Sequence, residues 1–204
     1  MEDNKRKLPV LTFEDPMTRG ERIAAIIYLP LHLAVLPLLL SVLMVVWPES
    51  GLTETSLNVF YYALGSIYML VFLWKFFRRG YDTLLDGFLR CLITFFIAYL
   101  IDLILTYALQ LIFMAFGYDI IATPNDETVM TMAEQGYNAM FAMAVFMAPL
   151  VEEPLFRGLI FGRLRGRSRV LAYAVSAGLF ALYHVWQYAV AYGDPAYLVY
   201  ALNY

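Results

Sequence analysis

Along the chain, long apolar runs alternate with short polar segments in a rhythm set by the thickness of a bilayer. A helix needs roughly 20 apolar residues to cross the hydrocarbon core. Five runs are of about that length: Ile23 to Trp47, Leu57 to Trp74, Cys91 to Phe116, Tyr137 to Gly162 and Val170 to Tyr192. A sixth begins at Ala196 and reaches Tyr204. The pattern predicts an all-α fold, a polytopic membrane helical bundle with five complete spans plus the start of a sixth. Residues 1–22 form a polar cytoplasmic lead and residues 23–204 one membrane domain, with a loop expected over 117–136. No internal repeat or low-complexity segment interrupts it.

Composition agrees with a membrane class. Of 204 residues, 62% are hydrophobic and 15% charged, well above the apolar share of an ordinary soluble domain. The first 22 residues carry charges of both signs and no apolar core before a small-residue site, so they do not read as a cleavable signal peptide. The single cysteine, Cys91, has no internal disulfide partner. Basic residues are sorted by side. Lys5, Arg6, Lys7, Arg19 and Arg22 precede the first run, Lys75, Arg78, Arg79 and Arg90 follow the second, and Arg163, Arg165, Arg167 and Arg169 follow the fourth. The alternate segments carry none. Because Lys and Arg are retained on the cytoplasmic face, this alternation predicts a cytoplasmic N-terminus. The arginine run at 163–169 reads as a short cytoplasmic hairpin rather than a nucleic-acid patch, and Trp47, Trp74, Tyr118 and Tyr192 read as interfacial anchors.

An ionisable residue at the centre of a spanning helix costs on the order of 2.5–3.5 kcal/mol on insertion scales, so each one needs a reason. The fourth run contains APLVEEPLFRGL, with Glu152, Glu153 and Arg157 between and beyond Pro149 and Pro154. Glu153 and Arg157 are four apart and share a helix face, which suits an ion pair. Glu152 points elsewhere, free to face a cavity and act as a general base. The prolines should loosen this stretch and free backbone acceptors, which lipid tolerates mainly beside a protein or water-filled cavity. Counted from the arginine-rich hairpin at ~1.5 Å per residue, Glu152 and His184 reach comparable depths on consecutive antiparallel spans. Asp102, in the middle of the third run, is a candidate intramembrane polar partner, with a hydrogen-bonded structural role equally open. His32, flanked by Pro30 and Pro37, reads as a helix-interface residue. With two histidines and no HExxH there is a thin ligand set, so no metal or other cofactor is expected. Convergence of Glu152, His184 and Asp102 on zinc stays open.

Glu152-Glu153-Pro154-Leu155-Phe156-Arg157 resembles the EExxxR motif of the CAAX-protease and bacteriocin-processing family of intramembrane glutamic endopeptidases, and Phe180-Ala181-Leu182-Tyr183-His184 resembles its FxxxH motif. The resemblance implies an endopeptidase in which Glu152 and His184 activate water for attack on a peptide carbonyl. On that pattern Glu153 and Arg157 support them, and Phe180 shapes the pocket. It also implies a peptide or protein substrate, prenylated or a bacteriocin precursor, and no obligatory metal. The family's third motif, a histidine followed four residues on by asparagine or a similar residue, has no counterpart here. No histidine follows His184, and Asn203 has no motif histidine before it. The expectation is a chain truncated before its oxyanion site and inactive alone.

Two other classes stay open: a non-catalytic membrane interaction or bacteriocin self-immunity protein, and a transporter using Asp102 and Glu152 as a proton path. Membrane lipids are expected partners and nucleic acid is not. The expected location is a bacterial plasma membrane, with the endoplasmic reticulum as the alternative.

Overall fold

The computed structural model describes residues 16–116 and 123–204, apart from the side chain of Asn203. Most of the polar lead, Tyr118 and the first part of the expected 117–136 loop lie outside the described residues. Those described fold as a polytopic helical bundle, and five helical stretches are long and apolar enough to cross a membrane: Arg19–Val46, Glu54–Phe72, Phe88–Ala115, Pro124–Arg165 and Arg169–Tyr192. The protein is thus a multi-pass integral membrane protein.

The first span is α1 (Arg19–Pro30) and α2 (Leu36–Val46), joined without a break by a wide π-helical turn at Leu31–Val35. The second is α3 (Glu54–Phe72), followed by an amphipathic helix α4 (Trp74–Asp86). The third is α5 (Phe88–Ala115). The fourth is compound, with α6 (Pro124–Ala142), a π turn at Met143–Met147, α7 (Ala148–Glu153), a longer π segment at Pro154–Phe161 and α8 (Gly162–Arg165). The fifth is α9 (Arg169–Tyr192).

Helix starts follow from local chemistry. Thr18, Thr53 and Thr123 each close a capping box, with Glu21, Ser56 and Asp126 respectively, and the Ser168 side chain caps α9. A capping side chain satisfies amides that the first helical turn leaves open. The Thr123 box explains one departure from expectation. Residues from Pro124 onward are helical where a loop was expected, and the run bends at Gly136, whose backbone is extended (φ −173°, ψ 78°). Thr55 Oγ1 donates to Gln135 Oε1 at 2.7 Å, tying this extra turn-region helix to α3. The sixth apolar run forms a 3-10 helix at Pro195–Asn203 that packs along α9.

The core lies where the first, second, fourth and fifth spans meet. Ala25, Tyr28, Met69, Leu73, Val151, Leu155 and Phe156 are buried there. By contrast α5 buries no residue, and its main contact is with α4. The wide turns are pinned by hydroxyls from neighbouring helices. Tyr61 Oη donates to the His32 carbonyl (2.7 Å), Ser66 Oγ to that of Met147 (3.1 Å) and Ser176 Oγ to that of Phe156 (2.8 Å).

Gly65 marks the closest approach of α3 to its neighbours. A Cβ there would collide with the Tyr28 hydroxyl and lie 2.9 Å from Val151 Cγ2. That Tyr28 hydroxyl is buried without a hydrogen-bond partner among the described residues. Gly65→Ala should therefore lower the thermal midpoint in detergent by overpacking, at a cost of about 1–3 kcal/mol. Tyr28→Phe alone should be neutral or stabilising, because it removes an unsatisfied buried group, and it should recover part of the Gly65→Ala loss. Additive losses in the double variant would contradict the packing described here.

Candidate active site

Glu152 lies in the second-last position of α7, between two π segments. The prolines at 149 and 154 remove helical donors, and the wide turns around them swing successive side chains off a regular helical progression. Glu152 ends up buried, with one carboxylate oxygen, Oε1, accepting from Tyr62 Oη at 2.9 Å. Tyr62 belongs to α3. Its hydroxyl is also 3.1 Å from that of Tyr183 on α9.

His184 follows Tyr183 on the same helix. Its Nδ1 is 2.9 Å from the Phe180 carbonyl one turn earlier. A carbonyl can only accept, so Nδ1 carries the hydrogen, and in the neutral ring Nε2 is left as an acceptor. Among the described residues no hydrogen bond joins Glu152 to His184. The two instead line one cavity of about 560 Å3, within the ~300–1,000 Å3 of ligand-sized pockets. Polar side chains Glu54, Asn58, Asn125, Thr128, Gln187 and Tyr188 line the same cavity. They come from the starts of α3 and α6 and the end of α9, so the polar part lies towards the end of the bundle opposite the arginine-rich hairpin.

The supporting residues are also placed. Arg157 is 4.0 Å from Glu153, one turn away, and its guanidinium lies over the Phe180 ring at 4.7 Å. Phe180 packs edge-on against Phe156 (5.2 Å between centroids) and lies tilted against the His184 ring (4.5 Å). The ring of His184 is covered on another side by Tyr204, stacked at 4.6 Å. Asp102 is not brought to this cluster: it sits exposed on α5 and does not line the cavity. Among the described residues no three His, Cys, Asp or Glu side chains converge as a metal site requires, so Glu152 and His184 would supply two protein donors.

His32 is more deeply involved than an interface role suggests. It is fully buried, with Nδ1 2.6 Å from Tyr61 Oη and Nε2 3.0 Å from Tyr183 Oη. Tyr61, Tyr62 and Tyr183 were not singled out from the sequence. The available signals were a Tyr-Tyr pair inside an apolar span, a tyrosine preceding the motif histidine, and a histidine held between two prolines.

Comparison with known proteins adds one finding. Residues 134–203 match the family model described as type II CAAX prenyl endopeptidase Rce1-like. That segment contains Glu152, Glu153, Arg157, Phe180 and His184, so it is similar to the family whose two motifs the sequence resembles. The class this similarity implies is a CAAX-protease-type endopeptidase set in the membrane, a hydrolase acting on a peptide or protein. Neither the curated proteins nor the solved structures gave a significant match.

If Phe180 holds the His184 ring through packing, Phe180→Ala should lower stability by about 2 kcal/mol, less than full burial of the ring would give. Thermal unfolding in detergent measures this. Phe180→Leu should recover part of the loss, and an unchanged midpoint in Phe180→Ala would remove the ring from the site's support.

Proposed function

We propose that the protein is an intramembrane endopeptidase in which Glu152 is the general base and His184 its partner. The observation that carries this reading is the placement of a buried carboxylate and a histidine on one membrane cavity, within the segment similar to CAAX prenyl endopeptidases. A water held between them would give a proton to Glu152 as its oxygen attacks the carbonyl carbon of the scissile peptide. Collapse of the tetrahedral intermediate breaks the C–N bond, and the same proton passes to the leaving amine. The His184 Nε2 lone pair accepts a second hydrogen bond from that water and so fixes its direction of attack. Arg157 and Glu153 hold each other, and through Phe180 the arginine supports the His184 ring. No step in this scheme needs a metal.

The substrate is a peptide or protein segment, either a prenylated C-terminus or a bacteriocin precursor. The arginine-rich segments support a cytoplasmic N-terminus by the positive-inside rule, and the proposed setting is a bacterial plasma membrane, with the endoplasmic reticulum as the alternative.

The test is cleavage in proteoliposomes, read by mass spectrometry, with a farnesylated CAAX peptide and its unprenylated counterpart. Residues 1–204 alone should be inactive; with the family's third motif supplied the protein should cleave, and in that protein Glu152→Gln and His184→Ala should lose roughly a hundredfold or more of the rate while unfolding at similar temperatures. Undiminished cleavage by folded Glu152→Gln would sink the assignment of the base. Absence of cleavage across both peptide classes once that motif is supplied would favour a non-catalytic membrane protein.

A further inference from the structure

The scheme above leaves His32 without a task, although it is the most completely enclosed ionisable side chain near the cavity. Its ring lies in the π turn of the first span, stacked with Tyr28 (5.7 Å between centroids) and with Tyr61 (4.8 Å). From its two nitrogens an unbroken series of contacts leads to the candidate base. Tyr61 Oη meets Nδ1 at 2.6 Å and Tyr183 Oη meets Nε2 at 3.0 Å. Tyr183 Oη meets Tyr62 Oη at 3.1 Å, and Tyr62 donates to Glu152 Oε1 at 2.9 Å. The series draws on the first, second, fourth and fifth spans.

Counting hydrogens gives this series a direction. An ionised carboxylate only accepts, so Tyr62 gives it its single hydroxyl hydrogen. The Tyr62 oxygen then accepts from Tyr183, and the Tyr183 oxygen accepts from His32 Nε2–H. In a neutral imidazole Nδ1 is then the acceptor, and it is filled by the single Tyr61 hydrogen, which in this arrangement points to Nδ1 instead of the His32 carbonyl. Every link is determined by the one before it.

A protonated Glu152 can satisfy the same atoms in the opposite sense. It donates to Tyr62, Tyr62 donates to Tyr183, and Tyr183 donates to Nε2. Nδ1–H donates to Tyr61, whose own hydrogen goes to the His32 carbonyl, 2.7 Å away. That second acceptor beside Tyr61 is what completes the reversed chain. The three hydroxyls and the imidazole hold four hydrogens in either arrangement, and the fifth is the one Glu152 has taken up. The imidazole is neutral in both and differs only in which nitrogen bears the hydrogen.

We infer that His32 is a positioning residue for Glu152, holding its Oε1 through Tyr183 and Tyr62, leaving Oε2 for the reacting water, and changing tautomer with the proton on Glu152. The kinetic part rests on the reading of Glu152 as a base, whereas the tautomer part does not. Glu152 meets Tyr62 from α3 and faces the cavity with Tyr183 and His184 from α9, with Glu153 and Arg157 on its own span. Among the described residues, Glu54 and Tyr61 from α3 and Tyr188 from α9 also line the cavity that Glu152 faces. His32 meets Tyr28 on its own span, Tyr61 and Tyr62 from α3, and Tyr183 from α9.

Heavy-nitrogen NMR of histidine-labelled protein in detergent reads the tautomers directly, and with two histidines in the chain a His184→Gln variant assigns the signals. Across a pH series the His32 ring should stay neutral and move from Nδ1–H to Nε2–H as Glu152 ionises. That exchange should vanish in Glu152→Gln and in Tyr62→Phe. One tautomer throughout in wild type, an imidazolium signal from His32, or the same exchange in Glu152→Gln would overturn the coupling.

In the cleavage assay, Tyr62→Phe should lower kcat by ~10- to 100-fold with KM little changed, the signature of lost positioning rather than lost binding. His32→Gln, which keeps a donor and an acceptor, should retain more kcat than His32→Leu. Full kcat in folded Tyr62→Phe would remove the positioning role. Cleavage by Glu152→Gln would instead defeat the catalytic reading and leave the tautomer result standing.

Discussion

Inside a bilayer every backbone group that a helix releases must find a partner within the protein, because no lipid tail can supply one. Three wide turns in the first and fourth spans carry this burden, and each has a carbonyl within hydrogen-bond reach of a hydroxyl from another helix: His32 of Tyr61, Met147 of Ser66, Phe156 of Ser176. Those three contacts do more than compensate the turns. They join α3 and α9 to the irregular spans at the level where Glu152 sits. The irregularity that lets a carboxylate face a cavity is thus held in place by the same contacts that assemble the bundle.

The cavity inherits its character from that arrangement. Its inner wall is aromatic and hydroxyl-bearing, with Tyr61, Tyr62 and Tyr183 beside Glu152, while its polar residues gather towards one end of the bundle. Burial of a carboxylate is costly unless it is hydrogen-bonded, and Tyr62 supplies one such bond while leaving the other oxygen available for chemistry. Glu153 stands apart from this. It is half-exposed, paired at 4.0 Å with Arg157, and turned away from the cavity-facing residues. Two adjacent glutamates therefore occupy distinct surroundings because a helix rotates about 100° per residue.

Much of this was legible in the sequence, and the reasons differ by element. Span number and helical class follow from apolar run length, which the bilayer fixes independently of packing. The separation of Glu152 from Glu153 follows from helical spacing, and the loosening near Pro149 and Pro154 from the missing amide hydrogens. The helix from Pro124 was not foreseen, since its polar residues resemble a loop until the Thr123–Asp126 capping box and the Thr55–Gln135 bond are seen together. Nor could hydropathy separate α5 from the other spans, although it alone buries none of its residues; Asp102 consequently stays out of the cluster. The tyrosines escaped notice because a tyrosine in an apolar span has an apolar body. Only the fold shows that the hydroxyls of Tyr62 and Tyr183 meet across more than a hundred residues of sequence.

In the proposed mechanism the Glu152 carboxylate activates water without itself bonding to the substrate. A single turnover in heavy-oxygen water, with enzyme in excess over peptide, tests this most directly. Mass spectrometry should find one heavy oxygen in the newly formed product carboxylate and none in the tryptic or chymotryptic peptide containing Glu152. Heavy oxygen in Glu152, or product released without it, would mean that the glutamate attacks the peptide itself and that the water-activating role assigned to Glu152 is wrong.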